Sequence, residues 1–363
     1  MADNWRLIDT GLRSAAQNIA LNRALLESRR AEEIPSTLRF LRYTASALLG
    51  VRHSAEQEFD IDGCRARGIA VQRRITGGAA CYTDERQLGW ELYLHARDVG
   101  PDGAPALSRR LCHAAAAAIS ALGVDARHRA GSEIEVDGKR IATAGFVSDG
   151  NAVLFQGMLF VDADRETAAR VLRLPASKPS DVARAMMEAR ETTLKALLGR
   201  TPETALVKRN LFEAYESDFG VEFAEGDLTL SEHARYEAAL RAIDAPAWIQ
   251  LHARPASEMP LLEAAESHPG GLLRATVMLD MMTQTIRQVW FHGDITARPP
   301  SLIPDLEAAL RDVPMSRLAR KVEWFFRSRP TDIAGLGPED FVAVVRRAVG
   351  RPLLARNSSL PQE

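Results

Sequence analysis

Arg73 and Arg74 stand side by side and run into Ile75-Thr76-Gly77-Gly78-Ala79-Ala80. A guanidinium group carries permanent positive charge in a planar fork that matches carboxylate and phosphate oxygens. The small residues that follow let a ligand lie close against the backbone. Beyond them, Leu88, Trp90, Leu92 and Leu94 alternate along a strand-like stretch. An apolar wall beside a basic, glycine-rich loop suits a molecule with an apolar tail and a carboxylate or phosphate head. On a regular strand the two arginines point to opposite faces, so only one of them can face such a ligand. A further fixed cation, Lys139, follows Asp137-Gly138, a strong hairpin signal.

These side chains need elements to hold them. Residues 5–10 read as a strand. From Ser14 to Arg30, Ala16, Ile19, Ala20, Ala24 and Leu25 recur at helical spacing. Residues 37–43 and 47–51 read as strands, and Asp60 to Arg67 as a short helix closed by Gly68. Ile69 to Arg74 is a strand entering the glycine loop. Leu107 to Leu122 predicts an alanine-rich helix, and 124–129, 132–136, 139–145 and 152–160 predict consecutive strands. Helices are expected over 164–172 and 180–198. Strands interleaved with a few helices predict an α+β fold.

After Ala245-Pro246 the character changes. Residues 247–268 predict a helix-rich connector, 272–279 and 285–291 a hairpin, and 301–310, 314–327 and 338–349 amphipathic helices. The expected organisation is a domain over 1–245, a smaller α+β domain over 246–355 and a disordered polar tail over 356–363.

Composition narrows the function classes. A length of 363 residues favours two domains. The formal net charge of −2 argues against general nucleic-acid binding. No apolar run approaches ~20 residues, so no membrane span is expected. The first residues lack the layout of a secretory signal, and Cys64, Cys81 and Cys112 follow no metal-binding spacing. A reduced cytoplasm is the simplest setting, and nothing requires more than a monomer. Asp162 and Asp164 read as a solvated turn before a helix rather than as a metal pair, and no protein metal site is expected.

The segment 73–84 resembles the lipoate–protein ligase family, whose loop reads roughly Arg-Arg-x-Ser/Thr-Gly-Gly-Gly-Ala-Val-x-x-Asp. Val136-Asp137-Gly138-Lys139-Arg140-Ile141 is similar to that family's Val-Asp-Gly-Lys-Lys-Ile segment, which carries the catalytic lysine. Weaker matches keep family order: Trp5 to Asp9 with Asn18-Ile19-Ala20, Gln156-Gly157-Met158-Leu159, Arg190 to Leu194, Phe219-Gly220 and Leu228-Thr229 with Glu232. Together they cover about residues 1–245. The later region resembles the ligases' accessory domain, here fused at the C-terminus. The fused arrangement is also similar to that of ligases paired with lipoate-binding proteins of bacterial sulfur oxidation.

The resemblance implies a mixed sheet with flanking helices and an AMP-forming, ATP-dependent ligation. Lipoate and ATP give a lipoyl-adenylate, and the acyl group then passes to a lysine of a small lipoyl-carrier protein. Magnesium would arrive on the ATP phosphates, with few protein ligands. Lys139 is the implied catalytic cation, neutralising charge where carboxylate meets phosphate. Losing such a contact typically costs ~10²–10³-fold in rate. Arg73 or Arg74, with Arg74 preferred, and Thr76, Gly77, Gly78, Ala79, Asp84, Gln156 and Gly157 would line the substrate and ATP site. Trp90 would flank the acyl tail.

Three departures bear on the pocket: Ala79 replaces a third glycine, Thr83 a histidine, and Gln156 another histidine. The rival is a cysteine-dependent octanoyl or lipoyl transferase of the same superfamily. Its cysteine precedes the Lys139 segment, where this chain reads Arg127 to Glu133 without a cysteine. A third reading is a non-catalytic binder of lipoate or a lipoylated carrier.

Overall fold

Ser14 punctuates the first crossover. Its hydroxyl accepts from the Gln17 amide while the Gln17 side chain accepts from the Ser14 amide, a capping box that starts α1 (Ala15–Arg30) directly after β1 (Asn4–Arg13). In the computed structural model, which describes residues 4–99, 103–129, 133–173, 180–251, 259–269, 271–295, 297–299, 301–329, 331–333 and 335–350, the chain forms two compact units, 1–253 and 254–363. The proposed tail, 356–363, lies outside the described residues.

In the first unit the order continues with β2 (Thr37–Tyr43), β3 (Ser46–Leu49), the short helices α2 (Ala55–Glu58) and α3 (Ile61–Ala66), β4 (Ala70–Arg73), β5 (Cys81–Thr83) and β6 (Gln87–His95). Then come α4 (Gly103–Ser120), β7 (Arg127–Arg129), β8 (Glu133–Val136), β9 (Lys139–Asp149) and β10 (Ala152–Phe160). The unit ends with α5 (Arg165–Val171), α6 (Ser180–Arg190), α7 (Leu194–Leu198), α8 (Thr204–Phe219), β11 (Glu222–Glu225), α9 (Leu230–Ile243) and α10 (Pro246–Ile249). The main sheet has the order β11-β1-β2-β6-β10-β9-β8-β7. β1 runs parallel to β2 and β11, and the remaining pairs are antiparallel. This is the mixed sheet of the expected α+β class. A small sheet, β4-β3-β5, carries the glycine loop between β4 and β5.

The sheet's two faces do different work. Leu88, Trp90, Leu92 and Leu94 alternate onto one face and pack with Leu111, Leu211 and Tyr215 of α4 and α8. Gly89, Glu91 and Tyr93 are the other half of that alternation, and Glu91 and Tyr93 hydrogen-bond to Asn22 of α1. The glycine loop lies on this second side, because Thr76 bonds Gln156, which in turn bonds Glu91 and Asn22. The apolar wall expected beside the loop is therefore core on the far face. Trp90 has no exposed surface and donates its indole N–H to Tyr215 Oη at 2.7 Å.

The helix expected over 180–198 is two helices. Glu191 forms a parallel bridge with Arg140, Thr192 N–H donates to Arg140 O at 2.9 Å, and Thr193 Oγ1 caps α7 by accepting from Ala196 N–H. Pairing with the start of β9 and a new N-cap outcompete helix continuation.

In the second unit β12 (Leu261–His268), β13 (Gly271–Asp280), β14 (Thr285–Gly293), β15 (Ala297–Arg298), α11 (Leu302–Ala309), β16 (Val313–Pro314), α12 (Leu318–Arg327), β17 (Asp332–Ile333) and α13 (Pro338–Gly350) follow in order. β12-β13-β14-β16 make a four-stranded antiparallel sheet. Its core includes Leu273, Phe291, Val322, Phe325 and Phe341. The helix-rich connector expected over 247–268 fails at β12. Leu261-Leu262-Glu263-Ala264-Ala265 is made of helix formers, but full antiparallel pairing with β13 overrides that weak preference.

Candidate functional site

The glycine loop is built from its support outward. Arg74 N–H donates to Leu49 O at 2.8 Å, and Val51 N–H donates to Thr76 O at 2.9 Å, so the end of β3 grips both sides of the loop's entry. Gly50 lies so close beneath that a Cβ there would sit 2.1 Å from Gly78 O. Gly78 itself has φ +93°, a conformation that favours glycine. Gly77, Gly78 and Ala79 are exposed.

The two arginines part company, as alternation requires. Arg74 folds over the loop: its Nη2 donates to Gly77 O, Gly78 O and Ala79 O at 3.1, 3.0 and 2.9 Å, and its Nη1 to Cys81 Sγ at 3.2 Å. No carboxylate among the described residues pairs with it, so the loop holds a half-buried cation whose charge is not neutralised. Arg73 is turned inward and fully buried. It donates to five backbone carbonyls: Gly50 (3.2 Å), Val51 (2.8 Å) and His53 (2.6 Å) on one side, Trp248 (2.9 Å) and Ile249 (2.8 Å) on the other. Its fork is filled by main chain, which removes it from the set of residues that could meet a substrate.

Below the loop lies a buried polar chain. The Thr76 hydroxyl donates to Gln156 Oε1 at 2.9 Å, and Gln156 Nε2 donates to Glu91 Oε1 at 2.8 Å and to Asn22 Oδ1 at 3.2 Å. Glu91 also takes the Tyr93 hydroxyl at 2.6 Å and pairs with Arg39 at 2.9 Å, both partners buried. Burial and the Glu91 charge push the Tyr93 phenol well above its ordinary range, so it stays a donor. Gln156 thus occupies the family's histidine position with its amide orientation fixed at both ends. Next to this chain, Ile19, Tyr43, Leu48, Ile75, Cys81 and Met158 form an apolar cluster on the loop's side of the sheet. Ile19, Tyr43 and Leu48 are buried there, and Ile75, Cys81 and Met158 are half-buried.

Gly157, one residue along β10, faces the opposite way. A Cβ there would lie 2.1 Å from Trp90 Cζ2, so this glycine makes room for the core tryptophan rather than for a ligand. Asp84 is buried in the turn between β5 and β6. It accepts from Arg86 N–H at 2.9 Å and Arg86 Nη1 at 3.0 Å, and from the Tyr82 hydroxyl at 3.3 Å. Burial raises its carboxyl above the ordinary range, against those hydrogen bonds.

Lys139 opens β9 behind a two-residue turn with Asp137 and Gly138 both at positive φ, the geometry of a primed hairpin. It is exposed, and Nζ donates to Glu188 O at 2.9 Å. The family's two adjacent lysines fall on Lys139 and Arg140, and the structure distinguishes them. Arg140 is committed to Glu133 and Glu191, whereas Lys139 holds a single carbonyl. Lys139 is not joined to the loop cluster. Gln156 pairs with Gly145 in the β9–β10 ladder, six residues from Lys139, or about 20 Å along the strand.

Near Glu188 a charged cleft includes Arg86, Asp162, Asp164, Arg184 and Lys195. Asp162 pairs with Lys195 at 2.8 Å, and Asp164 caps α5 and pairs with Arg86 at 3.0 Å. Both aspartates are thus committed to structure, and no group of three metal-ligating side chains converges among the described residues.

Two of the three cysteines are packed away from the loop. Cys64 and Cys112 are buried, and burial raises both thiols, that of Cys112 to about 11. Cys81 is half-buried beside Arg74. What sequence reasoning missed is the buried chain Arg39–Glu91–Asn22. Its signal was present as Asn18 and Asn22 one turn apart on the inner face of α1, and as Glu91 in a strand of apolar residues.

Residues 14–216 match the lipoyl protein ligase A/B catalytic domain, and the chain belongs to that family. It is 26% identical to the octanoyltransferase LipM of Moorella thermoacetica over 69% of this chain and 98% of that protein. Its fold is similar to the bi-partite lipoate protein ligase of Thermoplasma acidophilum, solved as a lipoylation system with its E2 lipoyl domain, at a TM-score of 0.62 and 21% identity, covering 70% of this chain and 100% of that one. It is also similar to P. falciparum LipL1 in complex with lipoate, at a TM-score of 0.72 and 13% identity, covering 95% of this chain and 99% of that one. No helix among the described residues is long and apolar enough to cross a membrane.

Proposed function

We propose that this enzyme ligates lipoate to a lysine of a lipoyl-carrier protein in two ATP-dependent steps. The observation that carries the reading is the second unit. The octanoyltransferase relative is used up over 98% of its length while nearly a third of this chain finds no counterpart in it. The likeness to the lipoate-bound LipL1, by contrast, runs across 95% of this chain. We read the unit built on β12-β13-β14-β16, which follows the first unit in sequence, as the accessory domain of a ligase.

In this reading the apolar cluster of Ile19, Tyr43, Ile75 and Met158 takes the acyl tail, and Arg74 on its loop faces an anionic group. A carboxylate oxygen of lipoate attacks the α-phosphorus of ATP, and pyrophosphate leaves with its magnesium. The carrier's neutral lysine amine then attacks the acyl carbon, and AMP leaves. The first step brings anionic oxygens together and the second develops negative charge on the acyl oxygen and the departing phosphate, and a fixed cation lowers both barriers. Lys139 is the residue to which that role is assigned. Its ~20 Å separation from the Gln156 row along the sheet favours an elongated acyl-adenylate as the ligand touching both ends.

A second reading, acyl transfer through a cysteine without ATP, is favoured by one contact. Cys81 Sγ lies 3.2 Å from the Arg74 guanidinium at the end of the loop, where a nucleophile would meet an acyl group held there.

The test is intact-mass spectrometry of lipoyl domains incubated with the enzyme, Mg-ATP and lipoate, or with octanoyl-loaded acyl carrier and no ATP. Lys139→Ala and Cys81→Ser are run alongside. The ligase reading expects ATP-dependent acylation with AMP release, reduced ~10²–10³-fold in Lys139→Ala and retained in Cys81→Ser. ATP-independent transfer lost in Cys81→Ser would establish the second reading. Lipoate binding with no transfer of either kind would make the protein a binder.

A further inference from the structure

Arg73 has no substrate-facing surface, yet it is the most heavily bonded side chain around the loop. Its guanidinium joins two stretches of main chain that are 195 residues apart or more in sequence: Gly50 to His53 after β3, and Trp248-Ile249 of α10. The link is reciprocal, since Trp248 Nε1 donates to Arg73 O at 2.9 Å. Gln72, the preceding residue, donates to Ile243 O at 3.1 Å, so the end of α9 is fastened to the same strand. Among the described residues no carboxylate hydrogen-bonds to Arg73, and burial lowers its guanidinium to about 10 against the more distant Glu56 charge. A buried cation hydrogen-bonded to peptide carbonyls is costly unless every donor is satisfied, so removing the carbonyls of α10 would leave donors orphaned.

The stretch gripped on the other side is the loop's foundation. Val51 both accepts from Arg73 through its carbonyl and donates its N–H to Thr76 O. Gly50 accepts from Arg73 and lies against Gly78 O. Arg74, which spans the loop carbonyls, is the next residue in the chain. α10 therefore reaches the loop's foundation through Arg73, and Trp248 also packs against the apolar cluster that includes Ile75 and Cys81. From α10 the chain runs on to 254–363.

We propose that Arg73 is a positioning residue that makes the docking of α10 a condition for the ligand-ready shape of the glycine loop. The segment after 245 is then part of the acyl-binding machinery rather than a passive connector, and a load on the chain leaving α10 is felt at Gly77 and Gly78. The inference rests on reading the loop as the element that binds the acyl substrate.

The experiment uses the full-length chain and three variants. Trp248→Phe keeps an aromatic ring and removes the indole N–H that donates to Arg73 O. Arg73→Lys keeps the charge but cannot fork to both stretches. Leu211→Ala destabilises the α4–α8 core far from the loop. Three quantities are read: hydrogen exchange of the Val51 and Arg74 amides, lipoate affinity by calorimetry, and melting temperature. Trp248→Phe is expected to speed exchange at those amides and weaken lipoate binding about three- to tenfold, the range of one lost hydrogen bond. Arg73→Lys is expected to do more. Leu211→Ala is expected to lower the melting temperature while leaving loop exchange and affinity unchanged. Unchanged exchange and affinity in both clamp variants overturns the proposal, and so does an equal response in Leu211→Ala. Altered exchange in a protein that binds no lipoate even as wild type leaves the clamp standing and sinks the substrate reading instead.

Discussion

At the scale of single residues, similar-looking neighbours divide by direction. Arg73 and Arg74 are identical in type and adjacent in sequence. One is consumed by five carbonyls and the other lies across an exposed loop. Gln156 and Gly157 divide the same way, one toward the polar chain under Thr76 and the other against Trp90. The glycine can be tested. Gly157→Ala puts a methyl group 2.1 Å from the Trp90 ring, and neither a fully buried indole nor a central strand can yield without strain. We expect a loss of ~1–3 kcal/mol in denaturant-monitored stability, the usual cost of overpacking, with lipoate affinity retained because the change is on the face away from the loop. Unaltered stability would show that Trp90 repacks freely. Arg74 was identifiable from its loop motif. The commitment of Arg73 was not, because its partners are main-chain atoms contributed by Trp248 and Ile249.

At the scale of elements, the N-terminal strand and α9 are joined by a buried ion pair. Arg6 Nη1 and Nη2 reach Glu232 at 2.9 and 2.5 Å, and Glu232 also completes the capping box of Thr229. Burial alone would raise the Glu232 carboxyl, but Arg6 and the Thr229 amide outweigh it and hold it below its ordinary value of 4.5. A carboxyl with a lowered folded-state value contributes stability in full above 4.5, and that contribution is lost as pH falls through the lower, folded value. Glu232→Gln is therefore expected to be clearly less stable than wild type at pH 7, with the gap narrowing below about pH 4.5. Thermal melts across that window check it, and a gap independent of pH would remove the ion pair as its source. The capping box itself was visible in Thr229-x-x-Glu232. The partner Arg6, 226 residues away, was not.

At the scale of the whole molecule, the two units have separate cores. Trp90, Leu111 and Tyr215 belong to one, and Phe291, Phe325 and Phe341 to the other. Phe341 meets Phe291 edge-on at 5.0 Å and Phe326 at 5.6 Å. Phe341→Ala should cost the second unit ~3–5 kcal/mol and, in calorimetry of the full chain, move one transition while leaving the other in place. A shift of the entire profile would mean that the cores melt as one. The first unit runs to 253, and α10 is held in it by Arg73.

The sequence by itself determined most elements of the first unit, the hairpin at Asp137-Gly138, the glycine loop, the α+β class and the family. These rest on local signals: periodicity, caps, turn residues and short ordered motifs that a chain carries wherever it folds. Tertiary structure alone decided which sheet face the loop covers, which arginine remains available, that Leu261–His268 is a strand, and that Glu91 is the buried anchor beneath Gln156. Each of these depends on partners tens to hundreds of residues away, and alternation along one strand shows that two faces differ without showing what will cover either.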